Sequence, residues 1–181
     1  MNDNAAAPDR PAFGHLRGPI VSSEHLSRNA QELSEFEFGL IIASNAFNRW
    51  MVRCMAASGL AELSALDILV LHSVNHRERA KRQADICLVL NVEDTHTVTY
   101  ALKKLTKLGL VAGTKKSKET FFRATDEGRV TCTRYAEIRE ACLVDSLSSL
   151  GISREDMHQI AGVLRAMSGL YDQAARAAAS L

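Results

Sequence analysis

Proline is scarce in this chain of 181 residues and confined to one end: Pro8, Pro11 and Pro19 are the only three. Residues 1–28 also hold two of the ten glycines, so this stretch is expected to be an extended or flexible arm. Its Arg10, Arg17 and Arg28 could brush DNA or a partner subunit, but a floppy tail is the simpler reading. Cysteine is also sparse. Cys54, Cys87, Cys132 and Cys142 form no Cys-x-x-Cys pair and have no histidine at finger spacing, which excludes a zinc finger. The pattern fits reduced thiols in a cytoplasmic protein. No apolar run approaches the ~20 residues that cross a bilayer. The opening MNDNAAAPDRP lacks the apolar core of a secretion signal. There is no phosphate-cradling glycine loop, nucleophile–base pair or metal set, so no catalysis, cofactor or metal is expected. His72 and His76 lie one turn apart but have no evident third ligand, and read as polar residues at a helix end.

Net charge is close to absent as well, at +1, but it is unevenly distributed. Residues 76–134 hold 13 Lys and Arg against 7 Asp and Glu, a surplus of six, and the remainder is acidic by five. Positive potential is therefore concentrated on one module. Hydrophobic residues make up 46%, enough for a real core and for one compact domain with helical extensions.

Within the basic module, Thr97–Val111 reads TVTYALKKLTKLGLV. At 3.6 residues per turn, Val98, Ala101, Leu102, Leu105 and Leu108 make an apolar stripe. His96, Thr99, Tyr100, Lys103 and Lys107 occupy the other side, which has no acid. Donors, acceptors, an aromatic ring and positive charge suit a helix lying in a DNA major groove. The plainer reading of Lys103 and Lys107 is an ordinary solvated face. Upstream, Ser64 with Asp67 caps a short helix whose Leu66, Leu69, Val70 and Val74 face inward. NHRERAKRQ follows as a polar, basic link. Ala84–Leu90 is a second short helix, packing through Ile86, Cys87 and Leu90, and Asp94 caps the next, which begins near Thr95. Short helix, tight turn and longer amphipathic helix make a helix-turn-helix.

Gly109 stops that helix. Leu110–Ala112 reads as a strand, 113–118 as a turn and Glu119–Ala124 as the returning strand, together a wing. Phe122 and Ala124 should share one face and Phe121 and Arg123 the other. A long helix from Thr125 to about Leu150, a break at Gly151 and a last helix capped by Ser153 and Asp156 complete the chain. The last helix carries Met157, Ile160, Leu164, Met167 and Leu170. Near the start, a helix over about 30–58 carries Leu33, Phe36, Leu40, Phe47 and Met51, widened by Phe38, Ile41, Ile42 and Trp50. That is more apolar surface than a helix wetted on three sides presents, and a second copy of the chain is the expected cover.

The fold expected is mainly α with a small β-wing. A winged helix-turn-helix domain (63–125) is flanked by dimerisation helices at 29–62 and 126–181, after an arm over 1–28.

These residues resemble the MarR family of winged-helix transcription regulators over about Leu63–Leu170. The similarity rests on Leu63-Ser64 with Ile68–Leu71, on Asp85-Ile86-Cys87 to Leu90, and on Thr97–Val111. Thr125-x-x-Gly128 and Leu150–Ser153 with Glu155 add to it. Tyr100 stands where the family often has Arg, and Lys103 where Asp is common. The wing's Asp-x-Arg positions are Lys116 and Lys118, and the turn before the recognition helix is one residue longer.

The expected function is sequence-specific binding of double-stranded DNA by a homodimeric cytoplasmic regulator, a repressor, on a pseudo-palindromic site. Thr97 and the helix N-terminus would meet phosphate. His96, Thr99, Tyr100 and Lys103 would reach base edges, and Lys107, Lys115, Lys116, Lys118 and Arg123 would hold the backbone. The resemblance also implies sensing of a small molecule or an oxidant in a crevice between the dimer helices and the DNA-binding lobe. Two alternatives remain open: a winged-helix protein-interaction module without specific DNA binding, and a redox switch on Cys54 or Cys132, Cys54 being expected near an exposed helix end.

Overall fold

A computed structural model describes residues 30–181, so the calls on the N-terminal arm and its arginines lie outside the described residues. The described chain falls into two compact units, 30–145 and 146–181.

The first unit opens with α1 (Gln31–Ala57), followed by α2 (Ala65–Asn75). The capping box expected at α2 is present: Asp67 N donates to Ser64 Oγ at 3.2 Å and Ser64 N donates to Asp67 Oδ2 at 2.8 Å. A short 3₁₀ turn over His76–Glu78 leads to β1 (Lys81–Arg82), α3 (Gln83–Leu90) and α4 (Thr95–Lys107). At the end of α3, Asn91 takes a left-handed conformation (φ 51°) and Val92 N closes back onto Cys87 O at 2.9 Å. Asp94 caps α4 by accepting from His96 N at 2.9 Å. Gly109 (φ 73°) ends α4 in a Schellman motif. Gly109 N donates to Thr106 O and Leu110 N to Leu105 O, both at 3.0 Å. The buried Leu105 and Leu110 supply the apolar contact that accompanies this motif.

β2 (Val111–Lys116) and β3 (Glu119–Ala124) form the wing. Two expectations are corrected here. The wing turn is only Ser117-Lys118, with Ser117 left-handed (φ 55°), and the strand runs on through Lys116. Gly113 therefore sits inside a strand opposite Phe122, where an added Cβ would meet the Phe122 ring at 3.3 Å. The wing is also not a lone hairpin. The basic link contributes β1, which pairs antiparallel with β3 (Lys81 opposite Phe122, Arg82 opposite Phe121) and gives the order β1-β3-β2. A two-residue strand has too few positions to show alternation, so its pairing is set entirely by β3.

After the wing, α5 (Asp126–Arg139) is capped by Thr125, whose Oγ1 accepts from Gly128 N at 3.1 Å and donates to Gly109 O at 2.6 Å. Thr125 N donates to Leu110 O at 3.0 Å. Gly128 is required for space: a Cβ there would lie 2.1 Å from Leu110 O. The helical path continues through a wider π turn over Glu140–Val144.

The core of this unit gathers Met51 and Met55 of α1, Ile68, Leu71 and Val74 of α2, and Ile86 of α3. Val98, Leu102 and Leu105 of α4 complete it, with Leu110 and Val111 at the wing's base. In α1 only the C-terminal end reaches this core. Leu33, Leu40, Ile41, Ile42 and Phe47 are exposed.

The second unit contains a helical turn, α6 (Asp145–Leu147, begun in the first unit), a 3₁₀ turn and α7 (Arg154–Ala178). Gly151 is left-handed (φ 63°) and breaks the path as expected. Ser153 and Asp156 form a reciprocal capping box. None of the residues of α7 is buried, and Met157, Val163, Leu164 and Leu170 are exposed.

Candidate nucleic-acid interface

On α4, Val98, Ala101, Leu102 and Leu105 are buried. That anchoring turns the opposite face outward: His96, Lys103 and Lys107 are exposed, and Tyr100 keeps 70% of its surface in solvent. Lys103 Nζ sits 5.8 Å from the centroid of the Tyr100 ring. This cation–π contact ties the two side chains together and restricts their rotamers.

The two threonines are more constrained than their spacing suggests. Thr97 Oγ1 donates to Asp94 O at 2.7 Å, so its hydroxyl hydrogen is already engaged. Thr99 Oγ1 donates to Thr95 O at 3.0 Å and accepts from Gln83 Nε2 at 2.8 Å. Gln83 Nε2 also donates to Thr95 O at 2.8 Å. One side chain at the start of α3 thus fixes the first turns of α4. Sequence reading passed over Gln83, since a lone glutamine at the edge of a basic stretch carries no pattern.

The three lysines of α4 do not share a role. Lys104, beside Lys103 in sequence, turns back into the unit and donates to Glu62 O at 2.6 Å and to Asp67 at 2.7 Å. Asp67, 8% exposed, is also the N3 member of the α2 capping box. Lys104 therefore clamps α4 onto the start of α2.

In the wing, Lys115, Lys116, Lys118 and Arg123 are all exposed. The register separates them. Lys116 and Arg123 share a face with Phe121 and Glu119, while Lys115 lies on the face of Phe122 and Ala124. Phe122 and Ala124 against Phe121 and Arg123 is the division the sequence suggested. Lys116 Nζ stands 5.8 Å from the Phe121 centroid.

Lys116 offers the wing no acid, but another brace is present. Arg82 on β1 reaches Asp85 at 2.9 Å and Glu119 at 3.1 Å. It thereby links the sheet, α3 and the tip of the wing. Hydrogen bonds from Arg82 hold the Asp85 carboxyl below its usual range, and those to Asp85 and Glu119 raise the guanidinium. All three groups are well exposed, so this brace orients more than it stabilises.

Residues 63–128 match the family model described as a winged helix DNA-binding domain. The chain carries a winged-helix domain of the MarR-regulator fold. Solved structures bear out the fold. Reduced AbfR bound to DNA superposes with a TM-score of 0.63 at 17% identity, covering 80% of this chain and 97% of that one. A cysteine-to-serine mutant of MarR from E. coli complexed with operator DNA gives 0.62 at 15% identity, covering 78% and 99%. CouR from Rhodococcus jostii RHA1, bound to p-coumaroyl-CoA, gives 0.60 at 18% identity, covering 73% and 90%. No curated protein matches the sequence.

The winged-helix unit also places the thiols. Cys54 is 1% exposed, against the expectation of an exposed helix end: α1 turns its last turns into the core, and Cys54 Sγ donates to Tyr135 O at 3.5 Å. Cys87 and Cys132 are buried too, and Cys142 is exposed. Burial raises the Cys54 thiol and pushes Cys132 up to about 11. Raised thiols carry little thiolate, the form an oxidant attacks, so this chemistry disfavours Cys54 and Cys132 as redox switches. His72 lies edge-on to Tyr135, ring centroids 4.6 Å apart, and burial lowers its pKa. Among the described residues, no three or more His, Cys, Asp or Glu side chains are grouped to hold a metal ion, and no helix is long and apolar enough to cross a membrane.

Proposed function

We propose that this protein is a homodimeric, sequence-specific DNA-binding regulator of transcription, a repressor. The recognition helix α4 enters the major groove, and the wing lies along the backbone or the adjacent minor groove. One observation carries the reading: the anchored α4 presents Tyr100, Lys103 and Lys107 outward, free of acidic side chains, beside a lysine-bearing wing.

In this reading Tyr100, Lys103 and His96 reach base edges. Thr97 and Thr99 offer lone pairs and methyl groups, since their hydroxyl hydrogens are engaged. Lys107, Lys116 and Arg123 neutralise phosphate, and Lys115 and Lys118 do so from the other wing face and the tip.

One α4 reads only a few base pairs, each contributing about 1–3 kcal/mol of discrimination. A two-fold dimer doubles that reading and sets half-sites ~10 base pairs apart. The exposed apolar face of α1 and that of α7 each supply surface for such a dimer. Two proteins of similar fold, AbfR and MarR from E. coli, are solved with DNA, which supports the reading in kind. Following CouR, a small-molecule effector is part of the proposal.

The test is capture of sheared genomic DNA on the purified full chain at two salt concentrations, followed by sequencing. Enrichment of an inverted repeat with half-sites about one turn apart is expected. Sequence-blind capture that vanishes at the higher salt would mean phosphate attraction only and would overturn the specific reading.

A further inference from the structure

Gln83 is the first residue of α3, yet its side-chain amide is engaged on α4. Its Nε2 lies 2.8 Å from Thr95 O and 2.8 Å from Thr99 Oγ1, and Thr99 Oγ1 donates to Thr95 O at 3.0 Å. The three atoms close a triangle. Thr95 O can only accept, so the amide turns its nitrogen toward the pair, and Thr99 Oγ1 accepts from it while donating to the carbonyl. A helical threonine left to itself divides between two χ1 rotamers, because in one of them its hydroxyl reaches back to a carbonyl of the preceding turn. The bond from Gln83 removes that choice. It draws the Thr99 oxygen toward α3, where its hydrogen and one of its two lone pairs are already in use.

The surroundings of Thr99 have the same character. With Gln83, Leu102, Lys103, Thr106 and Phe122 it lines a hollow of about 340 Å³ between α4 and the wing. Thr106 also folds its hydroxyl back, donating to Leu102 O at 2.7 Å. Neither threonine has a hydroxyl hydrogen left for a base, and the side chains of Leu102 and Phe122 add only carbon. A base edge that meets this flank of α4 therefore gains most from an apolar group. In the major groove thymine alone of the four bases presents one, its C5 methyl.

We infer, on the reading of α4 as the major-groove helix, that Gln83 is a positioning residue for base recognition. It pins Thr99 so that the methyl group meets the DNA, and α4 thereby selects a thymine in each half-site. A freely rotating hydroxyl would accept from cytosine N4 or adenine N6 as well and blur the choice. Gln83 itself touches no base in this scheme; it acts through the rotamer of Thr99.

The test starts from the site that the full chain selects out of random duplex DNA. In anisotropy titrations, thymidines of that site are replaced by deoxyuridine, which lacks only the methyl, in symmetric pairs and one position at a time. At one position the loss should be about fourfold per half-site, or about 15-fold for the pair, as expected for one buried methyl group each. Thr99→Val is isosteric and held to one rotamer in ~90% of helical positions, so it should keep both the site and the penalty. Thr99→Ala should abolish the penalty at that position. Gln83→Ala should cut it to about fourfold for the pair, because the threonine then divides between two rotamers. Adding Thr99→Val to Gln83→Ala should restore it to about 15-fold, which a purely structural loss would not do. Each penalty compares two duplexes on one protein preparation, so partial unfolding of a variant leaves it unmoved. A full penalty in Gln83→Ala, no restoration in the double variant, or no thymine sensitive to Thr99→Ala overturns the role of Gln83 and leaves the regulator reading intact. So does a Thr99→Val chain that loses the site, since the hydroxyl is then what is read. If the wild-type chain enriches no motif, the regulator reading fails and the role of Gln83 fails with it.

Discussion

Lys104 and Lys107 lie three residues apart on one helix, and replacing each by Met should damage different properties. Asp67 is 8% exposed and accepts from Lys104 at 2.7 Å and from Ser64 N at 2.8 Å. Stranding a fully buried charge costs ~3–5 kcal/mol. Lys104 is 39% exposed, so water screens the pair, and Asp67 keeps the Ser64 hydrogen bond. Lys104→Met should therefore cost about 1–3 kcal/mol. At ~2–4 °C per kcal/mol for a chain of this size, Tm falls by about 2–12 °C. Lys107 is exposed and forms no ion pair among the described residues, so Lys107→Met should change stability by less than about 0.5 kcal/mol. Its effect should appear on DNA. Each phosphate contact contributes about 0.9 to the slope of log K against log salt. Two lost contacts in a dimer lower the slope by about 1.8, which is roughly 60-fold in affinity at 0.1 M salt. Thermal melting and a salt titration of operator binding by anisotropy read the two effects separately. A Lys104→Met protein that melts like wild type, or a Lys107→Met protein with an unchanged salt slope, would refute the division of labour.

Gly128→Ala sets two effects against each other: helix propensity favours Ala by ~1 kcal/mol, but the new Cβ would sit 2.1 Å from Leu110 O at a corner fixed by Thr125 N. The clash should win, with a net loss of about 1–3 kcal/mol in urea unfolding; a variant as stable as wild type would show that the corner yields. Iodoacetamide at pH 8 should label Cys142 first and leave Cys132 unmodified in the folded protein, by mass spectrometry, because burial pushes the Cys132 thiol up to about 11 from 9.0. Through the same shift, stability is fully present below pH 9 and falls as pH rises toward about 11, because over that window the unfolded thiol ionises while the buried one keeps its proton. Ile41→Glu with Ile42→Glu alters two side chains 58% and 52% exposed in the single chain, so folding should survive while sedimentation shifts from dimer to monomer; an intact dimer would place the interface elsewhere.

Much of the fold was legible because its signals are local. Ser64 with Asp67, Ser153 with Asp156, Asp94 and Gly109 mark helix ends through hydrogen bonds spanning two to five residues, distances at which sequence spacing is spatial spacing. The stripe of α4 was legible for the same reason: a 3.6-residue period fixes which side chains share a face. The sequence by itself therefore determined the helix-turn-helix, the wing's existence and the outward face with Tyr100, Lys103 and Lys107. Tertiary structure alone decided what depends on partners far along the chain. Lys104 is indistinguishable from Lys103 until Asp67, 37 positions away, is brought beside it. Arg82 becomes a brace only once Glu119 faces it across the sheet, and Lys81 becomes buried only once its strand pairs with β3. A two-residue strand and a nonlocal ion pair leave no periodic trace, because the energy that selects them resides in the partner rather than in neighbouring residues.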